Sequence, residues 1–424
     1  MSYPSKVSPL GDLLGLAALA GLLIVAYRHP RARTEIAVSL AAAAAVLGSG
    51  AVSLSAADDV LRRLLPVTAF LITILVVAAA CDRGGLFAAA SRLLRQGGAV
   101  RLFTIAIALS AVVTTVLSLD ATIVLLTPVL IGAAVLRGLP PRPAAYASLR
   151  MANSASLLLP VSNLTNLLAL PATSLTFSGF AAAMAPAMAV VMIVEYVGLR
   201  LLLRRDLAAV HAPAYPAPPQ NPPPTSPPPA PLVPAVVVIV MLAGFAVASE
   251  LGIDLWWISS GAAIVLVGWG RRTGALRLGE AARSAQPGFA LFVLALGLVV
   301  AALSDGVLGD VVASLVPGST SYVDLLVLAA VATVLANLVT NLSATLLLLP
   351  LVAPLGDTAV LVVLVGVNAG AGLTMSGSLA TLLWRRTLAL HALPVRLGEF
   401  HRVSLLLTPV TVVVAVTAVY LTNR

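Results

Sequence analysis

The sequence predicts an all-α polytopic membrane protein with two inverted-topology repeats. Each repeat has five transmembrane helices plus one re-entrant hairpin, with broken helices at the membrane midplane. Three observations predict this fold. First, hydrophobic residues fill 60% of 424 positions and charged residues only 10%, with a mean hydropathy of +1.06. A soluble domain of this size needs a polar outside, whereas apolar runs of about 17–25 residues match a bilayer's hydrocarbon core. Second, polar interruptions recur in pairs. Leu117-Ser-Leu-Asp-Ala-Thr122 is matched by Thr340-Asn-Leu-Ser-Ala-Thr345, and Pro160-Val-Ser-Asn-Leu-Thr-Asn166 by Gly372-Leu-Thr-Met-Ser-Gly-Ser378. Asp120 and Asn341 stand 221 positions apart, as do Pro66 and Pro287, while Asn153 and Asn368 stand 215 apart. Third, the positive charges fall on one side once the helices are counted.

Spanning helices are expected at 11–27, 35–55, 64–82, 146–170, 178–203, 234–249, 256–269, 288–304, 358–384 and 403–422, with hairpins at 102–136 and 322–356. Alternating sides puts 21 of the 25 Lys and Arg residues on one face, including Arg150, and leaves Lys6, Arg62, Arg63 and Arg424 opposite. The positive-inside rule makes the first face cytoplasmic, so the basic balance is a topology signal and not a nucleic-acid surface. The first apolar run is followed by Arg28, Arg31 and Arg33 and carries no small-x-small site, so it reads as an uncleaved anchor. Pro66 and Pro287 are expected to open the third helix of each half, where a missing N–H is harmless. The stretches 86–96 and 275–286 mix Arg with Leu and Ala and read as interfacial helices. Trp256, Trp257, Trp269 and Trp384 are expected as headgroup anchors.

The repeats are bounded at 1–205 and 234–424. A cytoplasmic linker at 206–233 carries eleven prolines, which favour extended polyproline II. Five crossings per half is odd, so the second half enters the membrane inverted. The first hairpin then dips in from the cytoplasm and the second from outside, and both termini are extracytoplasmic in the cell (plasma) membrane.

A helix broken inside hydrocarbon leaves backbone groups that are tolerated only where they line a cavity or a solute. The candidate substrate-binding residues are therefore Ser118, Thr122, Asn153, Ser162, Asn163, Thr165, Asn166, Asn341, Ser343, Thr345, Asn368, Thr374, Ser376 and Ser378. Packing of helices through small polar residues is the plainer alternative for each taken singly. Asp120 and Glu195 are the two acids expected within membrane segments. A carboxylate there costs roughly 2.5–3.5 kcal/mol on insertion scales and is usually functional. Asp120 is the candidate proton-coupling residue, because a carboxyl taken out of water can bind and release a proton near neutral pH. It is also a candidate N-cap for residues 121–136. Asn341 keeps the capping chemistry but cannot titrate. Glu195 reads as structural. No Lys or Arg is expected at mid-depth, which favours a neutral or weakly charged solute or a small cation. The lone Cys81 excludes an intramolecular disulfide and a multi-cysteine metal site. No catalytic centre, metal site or cofactor is expected, and no Gly-x-x-x-x-Gly-Lys-Ser/Thr stretch for ATP occurs.

Ala152-Asn-Ser-Ala-Ser-Leu-Leu-Leu-Pro-Val-Ser-Asn-Leu-Thr-Asn166 and Gly377-Ser-Leu-Ala-Thr-Leu-Leu-Trp384, with Asn153 and Asn368 in the broken helices, resemble the bacterial arsenite/antimonite efflux permeases of the ion-transporter superfamily. The second hairpin departs from that branch's Asn-Asn-x-Pro pattern. Asp120-Ala-Thr122 also looks like the Asn-Asp-Ala-Thr motif of the antiporter branch. The resemblance implies a secondary transporter, not an enzyme, that exports arsenite or antimonite in exchange for protons. A sodium/proton antiporter and a sodium-coupled anion or dicarboxylate carrier are the alternatives on the same fold. The expected partners are protons, a small inorganic solute and the lipid bilayer. A homodimer and a separate ATPase subunit stay open, and no nucleic acid is expected.

Overall fold

Apolar helices with no charged face must cover one another or face lipid, and the chain does both. The computed structural model describes residues 9–28, 32–209, 231–393 and 395–423, which contain helices and loops and no strand. Linker residues 210–230 lie outside the described residues, as do Lys6, Arg31 and Arg424. Among the described residues, nine helices are long and apolar enough to cross a membrane.

Six of the nine correspond to expected spans, and three are hairpin limbs: Ala99–Val116, Leu119–Leu136 and Tyr322–Val339. The expected spans at 35–55, 146–170, 256–269 and 358–384 do not meet that standard. Ala32–Gly48 has only 17 residues, and Leu255–Arg272 ends on two arginines. The other two are broken, into Arg142–Ser154 with Leu164–Ala169 and Asp357–Asn368 with Leu379–Leu390.

The helices form two groups. In the first, Pro9–Arg28 packs on Ala32–Gly48 and Leu232–Glu250 on Leu255–Arg272, and the halves are laced crosswise. Leu54–Arg83 packs on Leu255–Arg272, Pro287–Ser304 packs on Ala32–Gly48, and these two partners also pack on each other. The second group holds the hairpins, the broken helices, and the pair Phe177–Leu202 and Leu397–Thr422, both 26 residues long. Contacts thus come in exchanged pairs.

Pro66 does not begin a helix. Leu54–Arg83 runs 30 residues with Pro66 inside it, because Ser53 supplies an N-cap a dozen residues earlier by accepting from the Ala56 N–H. Its counterpart breaks at Gln286 (φ 45°), giving Leu278–Ser284 and a helix that does open on Pro287. The interfacial stretches form Leu86–Leu93 and Leu278–Ser284. A helix at Val307–Leu315, not expected from the sequence, follows Ser304 as Leu86–Leu93 follows Arg83. Trp384 is no headgroup anchor. It is 1% exposed, donates its indole N–H to the Ala145 carbonyl at 2.9 Å, and packs on Tyr146 and Phe400.

The first hairpin closes on itself, since Arg137 at the end of its second limb donates to the Leu94 carbonyl at 2.6 Å, just before the first limb starts. Its descending limb widens to a π turn over Thr122–Leu126. Pro128 cannot donate to the residue-124 carbonyl and would crowd it, and the wider turn relieves that clash. The second hairpin turns at Thr340, whose φ of 74° is costly for a β-branched residue. The next residue pins it, as the Asn341 N–H donates to the Gly377 carbonyl at 3.0 Å.

Candidate functional site

Four helix starts converge on one point. Ser118 and Leu119 begin the first hairpin's second limb, and Asn341 and Leu342 the second's. Asn163 and Leu164 begin the lower half of the first broken helix, and Leu379 and Ala380 that of the second. Residues from all four line a cavity of ≈ 40 Å³, closed by Phe70, Leu71 and Ile74 of Leu54–Arg83 and by Phe289 of Pro287–Ser304. A helix start carries free N–H groups and the positive end of the helix dipole, so the cavity favours oxygen-rich solutes.

Asp120 is the cavity's one charged side chain. It does not cap the helix. Ser118 does, accepting from the Ala121 N–H at 3.2 Å, because Ser118 is the residue with extended backbone at the turn. Asp120 is left half-buried on the cavity wall, and among the described residues no hydrogen bond or ion pair reaches its carboxylate. The side-chain amide of Asn341, its counterpart, is likewise unpaired among the described residues and also lines the cavity.

Ser118, Ser162, Asn163, Thr165 and Asn341 line the cavity with Asp120. The other sequence candidates do not, and each has a partner in the protein. The Asn368 amide oxygen accepts from Asn163 (2.8 Å) and from the Thr165 hydroxyl (2.6 Å), and its NH2 donates to Asn166 (2.7 Å). Asn153 does the reverse for the other break, accepting from Ser378 at 3.0 Å. Asn163 and Ser378 are the N-caps of the two lower halves. Each broken helix therefore holds the other's cap.

Thr374 and Ser376 do not line the cavity and bond to Asn337, whose amide oxygen accepts from the Thr374 N–H and hydroxyl, both at 2.8 Å. Ser343 pairs with Thr340, Thr345 bonds back to the Asn341 carbonyl, and Thr122 pairs with Thr114. The carbonyls freed at the first break are also taken. Ser156 and Leu159 each accept from both Ser162 and Asn166.

A basic residue does sit deep in the bundle. Arg150 was expected on the cytoplasmic face, but its helix begins at Arg142, which carries Arg150 two turns inward, where it is 1% exposed. Glu195, 0% exposed, pairs with it through both carboxylate oxygens. Thr408 accepts from the guanidinium, and Ser154 and Thr411 donate to the carboxylate. The Arg150 guanidinium lies beside Gly372, where an added Cβ would meet it at 2.9 Å, yet it does not line the cavity. Sequence reasoning missed Arg150, Asn337, Phe70 and Phe289. Only Asn337 carried a signal, as an amide in an apolar limb one turn before a break.

The chain resembles known transporters along most of its length. The family model described as Citrate transporter matches residues 22–368. An arsenical pump membrane protein of Escherichia coli is 27% identical over 363 residues, covering 80% of this chain and 82% of the relative. Another, from Yersinia enterocolitica, is 26% identical over 405 residues, covering 91% and 93%. Among solved structures, the Alcanivorax borkumensis YdaH transporter, described as having an unusual topology, superposes with a TM-score of 0.58 at 16% identity over 97% of this chain and 98% of that one. That likeness speaks for the fold alone. The chain is a multi-pass membrane transporter of the citrate transporter (CitMHS) family, related to the arsenical pump membrane proteins.

Proposed function

We propose that this protein is a secondary active exporter of arsenite or antimonite driven by proton exchange, with Asp120 carrying the proton. One observation carries the reading. An unpaired carboxylate stands on a small cavity where four helix starts bring neutral hydroxyls and amides together among apolar side chains.

The cavity's ≈ 40 Å³ equals the room of about three water molecules. That suits a trihydroxide of arsenic or antimony, whose oxygens accept from helix-start N–H groups while its hydroxyls donate to Asn341, Asn163 and Asp120. Citrate is a poor fit, since three carboxylates would meet Asp120 and no Lys or Arg on the cavity wall. A sodium ion would have to rely on Asp120 and side-chain oxygens, because the carbonyls of the first break are already bonded.

Coupling follows from charge. The trihydroxide is neutral, so the membrane potential does no work on it, whereas one inward proton gains roughly 2.3 kcal/mol per 100 mV. The solute and proton would share one site, the solute crossing with Asp120 ionised and the site returning with Asp120 protonated. The inverted repeats, with the basic face and the linker cytoplasmic, would let both sides reach it in turn.

Arsenite accumulation in everted, respiring membrane vesicles tests the function. Protonophore-sensitive, sodium-independent uptake supports it. No arsenite uptake, with sodium-triggered proton release from the same vesicles, would transfer the site to sodium/proton exchange.

A further inference from the structure

One aromatic ring borders both the cavity and a much larger space. A vestibule of ≈ 920 Å³ lies between the two helix groups, with Arg62, Arg63, Asp254 and Asp305 among its charged lining residues. Arg62 and Arg63 belong to the face opposite the basic one in the proposed orientation. Among the described residues, Phe70 alone lines both this vestibule and the ≈ 40 Å³ cavity. It is 3% exposed, so its ring is buried where the two spaces meet.

The ring is positioned by both helix groups. Phe70 packs on Phe245 at 5.8 Å and 56°, and Phe245 packs on Phe177 at 5.8 Å and 44°. Phe245 comes from Leu232–Glu250 in the first group and Phe177 opens Phe177–Leu202 in the second. A sliding of one group against the other would therefore disturb the stack. Its own helix is weakened one turn away. Pro66 leaves the Arg62 carbonyl without its helical donor. Thr68 and Thr73 also bond back to the carbonyls of Leu64 and Ala69, a habit that bends helices. The device is asymmetric, since the counterpart of Phe70, 221 positions on, is Leu291, which lines neither space.

We propose that Phe70 is the gate that closes the solute cavity against the vestibule, admitting small hydroxylated solutes when its helix flexes at Pro66. The proposal rests on the reading of the cavity as the solute site, and the test separates the two.

In a Cys81→Ala background, a cysteine is placed in the cavity (Ala380→Cys) or in the vestibule (Thr173→Cys). A charged, membrane-impermeant methanethiosulfonate is then applied from the side at which the Thr173→Cys protein reacts. The vestibule cysteine is expected to react at least 10-fold faster than the cavity cysteine. Adding Phe70→Ala should raise the cavity rate at least 10-fold, and Phe70→Leu, which keeps more of the packing on Phe245, by a smaller factor. An Ala380→Cys rate unchanged by either substitution, with the vestibule cysteine still fast, overturns the gate. Arsenite is added as a separate arm. Failure of arsenite to protect Ala380→Cys, with the Phe70 effect intact, would reject the cavity as the arsenite site and leave the gate standing.

Discussion

Asp120 and Glu195 show how differently one bundle treats two acids. Glu195 is saturated by Arg150, Ser154 and Thr411 and has nothing left to offer a solute. Asp120 has no partner among the described residues and faces a cavity. Asp120→Asn is expected to retain solute binding, read as thermal stabilisation of the detergent-purified protein by arsenite. The same variant should lose pH-driven transport, and a variant that still moves arsenite down an imposed pH gradient would remove Asp120 from the coupling step. The buried pair makes a stability prediction. Glu195→Gln or Arg150→Met alone leaves an uncompensated buried group and should cost about 3–5 kcal/mol, whereas the double variant with Glu195→Leu should recover most of it. Thermal unfolding of the three proteins checks this, and additive losses in the double variant would contradict it.

At the scale of elements, the two broken helices act as one unit because Asn368 and Asn153 exchange caps across them. Asn368→Ala would orphan the Asn163 NH2, the Thr165 hydroxyl and the Asn166 amide oxygen, at about 1–3 kcal/mol each. It should cut transport at least 10-fold although Asn368 does not touch the cavity. Thr374→Val, which loses the hydroxyl's bonds to Asn337 and Ser376, should leave arsenite affinity within about twofold, because Thr374 does not line the cavity. Titrating arsenite stabilisation in both variants distinguishes them, and equal losses of affinity would mean that the second break touches solute directly. The breaks themselves were legible in the sequence, because Pro160-Val-Ser-Asn and the Gly-rich run at 370–378 cannot continue a helix in an apolar context. Which polar residue faced solute and which faced its neighbour was not legible, because Asn153 and Asn163 differ only in how two distant helices meet. Asp120 was a candidate for the cap that Ser118 makes, because both residue types cap well and only the backbone at the turn decides. Arg150 was misplaced by a helix start four residues too late, enough to move a charge from surface to interior.

Across the whole molecule, the exchanged packing of the two halves matches the regular offsets in the sequence, with Phe177–Leu202 and Leu397–Thr422 beginning 220 positions apart. The duplication is not perfect, and the departures cluster at the site: Asp120 opposite Asn341, and Phe70 opposite Leu291. The most direct test uses purified protein in liposomes loaded with arsenite and a pH dye, diluted into arsenite-free buffer with potassium and valinomycin clamping the potential. Outward arsenite flow through the wild-type protein is predicted to acidify the lumen, and Asp120→Asn to give no pH change. Arsenite efflux without acidification in the wild type, or acidification that persists in Asp120→Asn, would contradict proton exchange at this carboxylate.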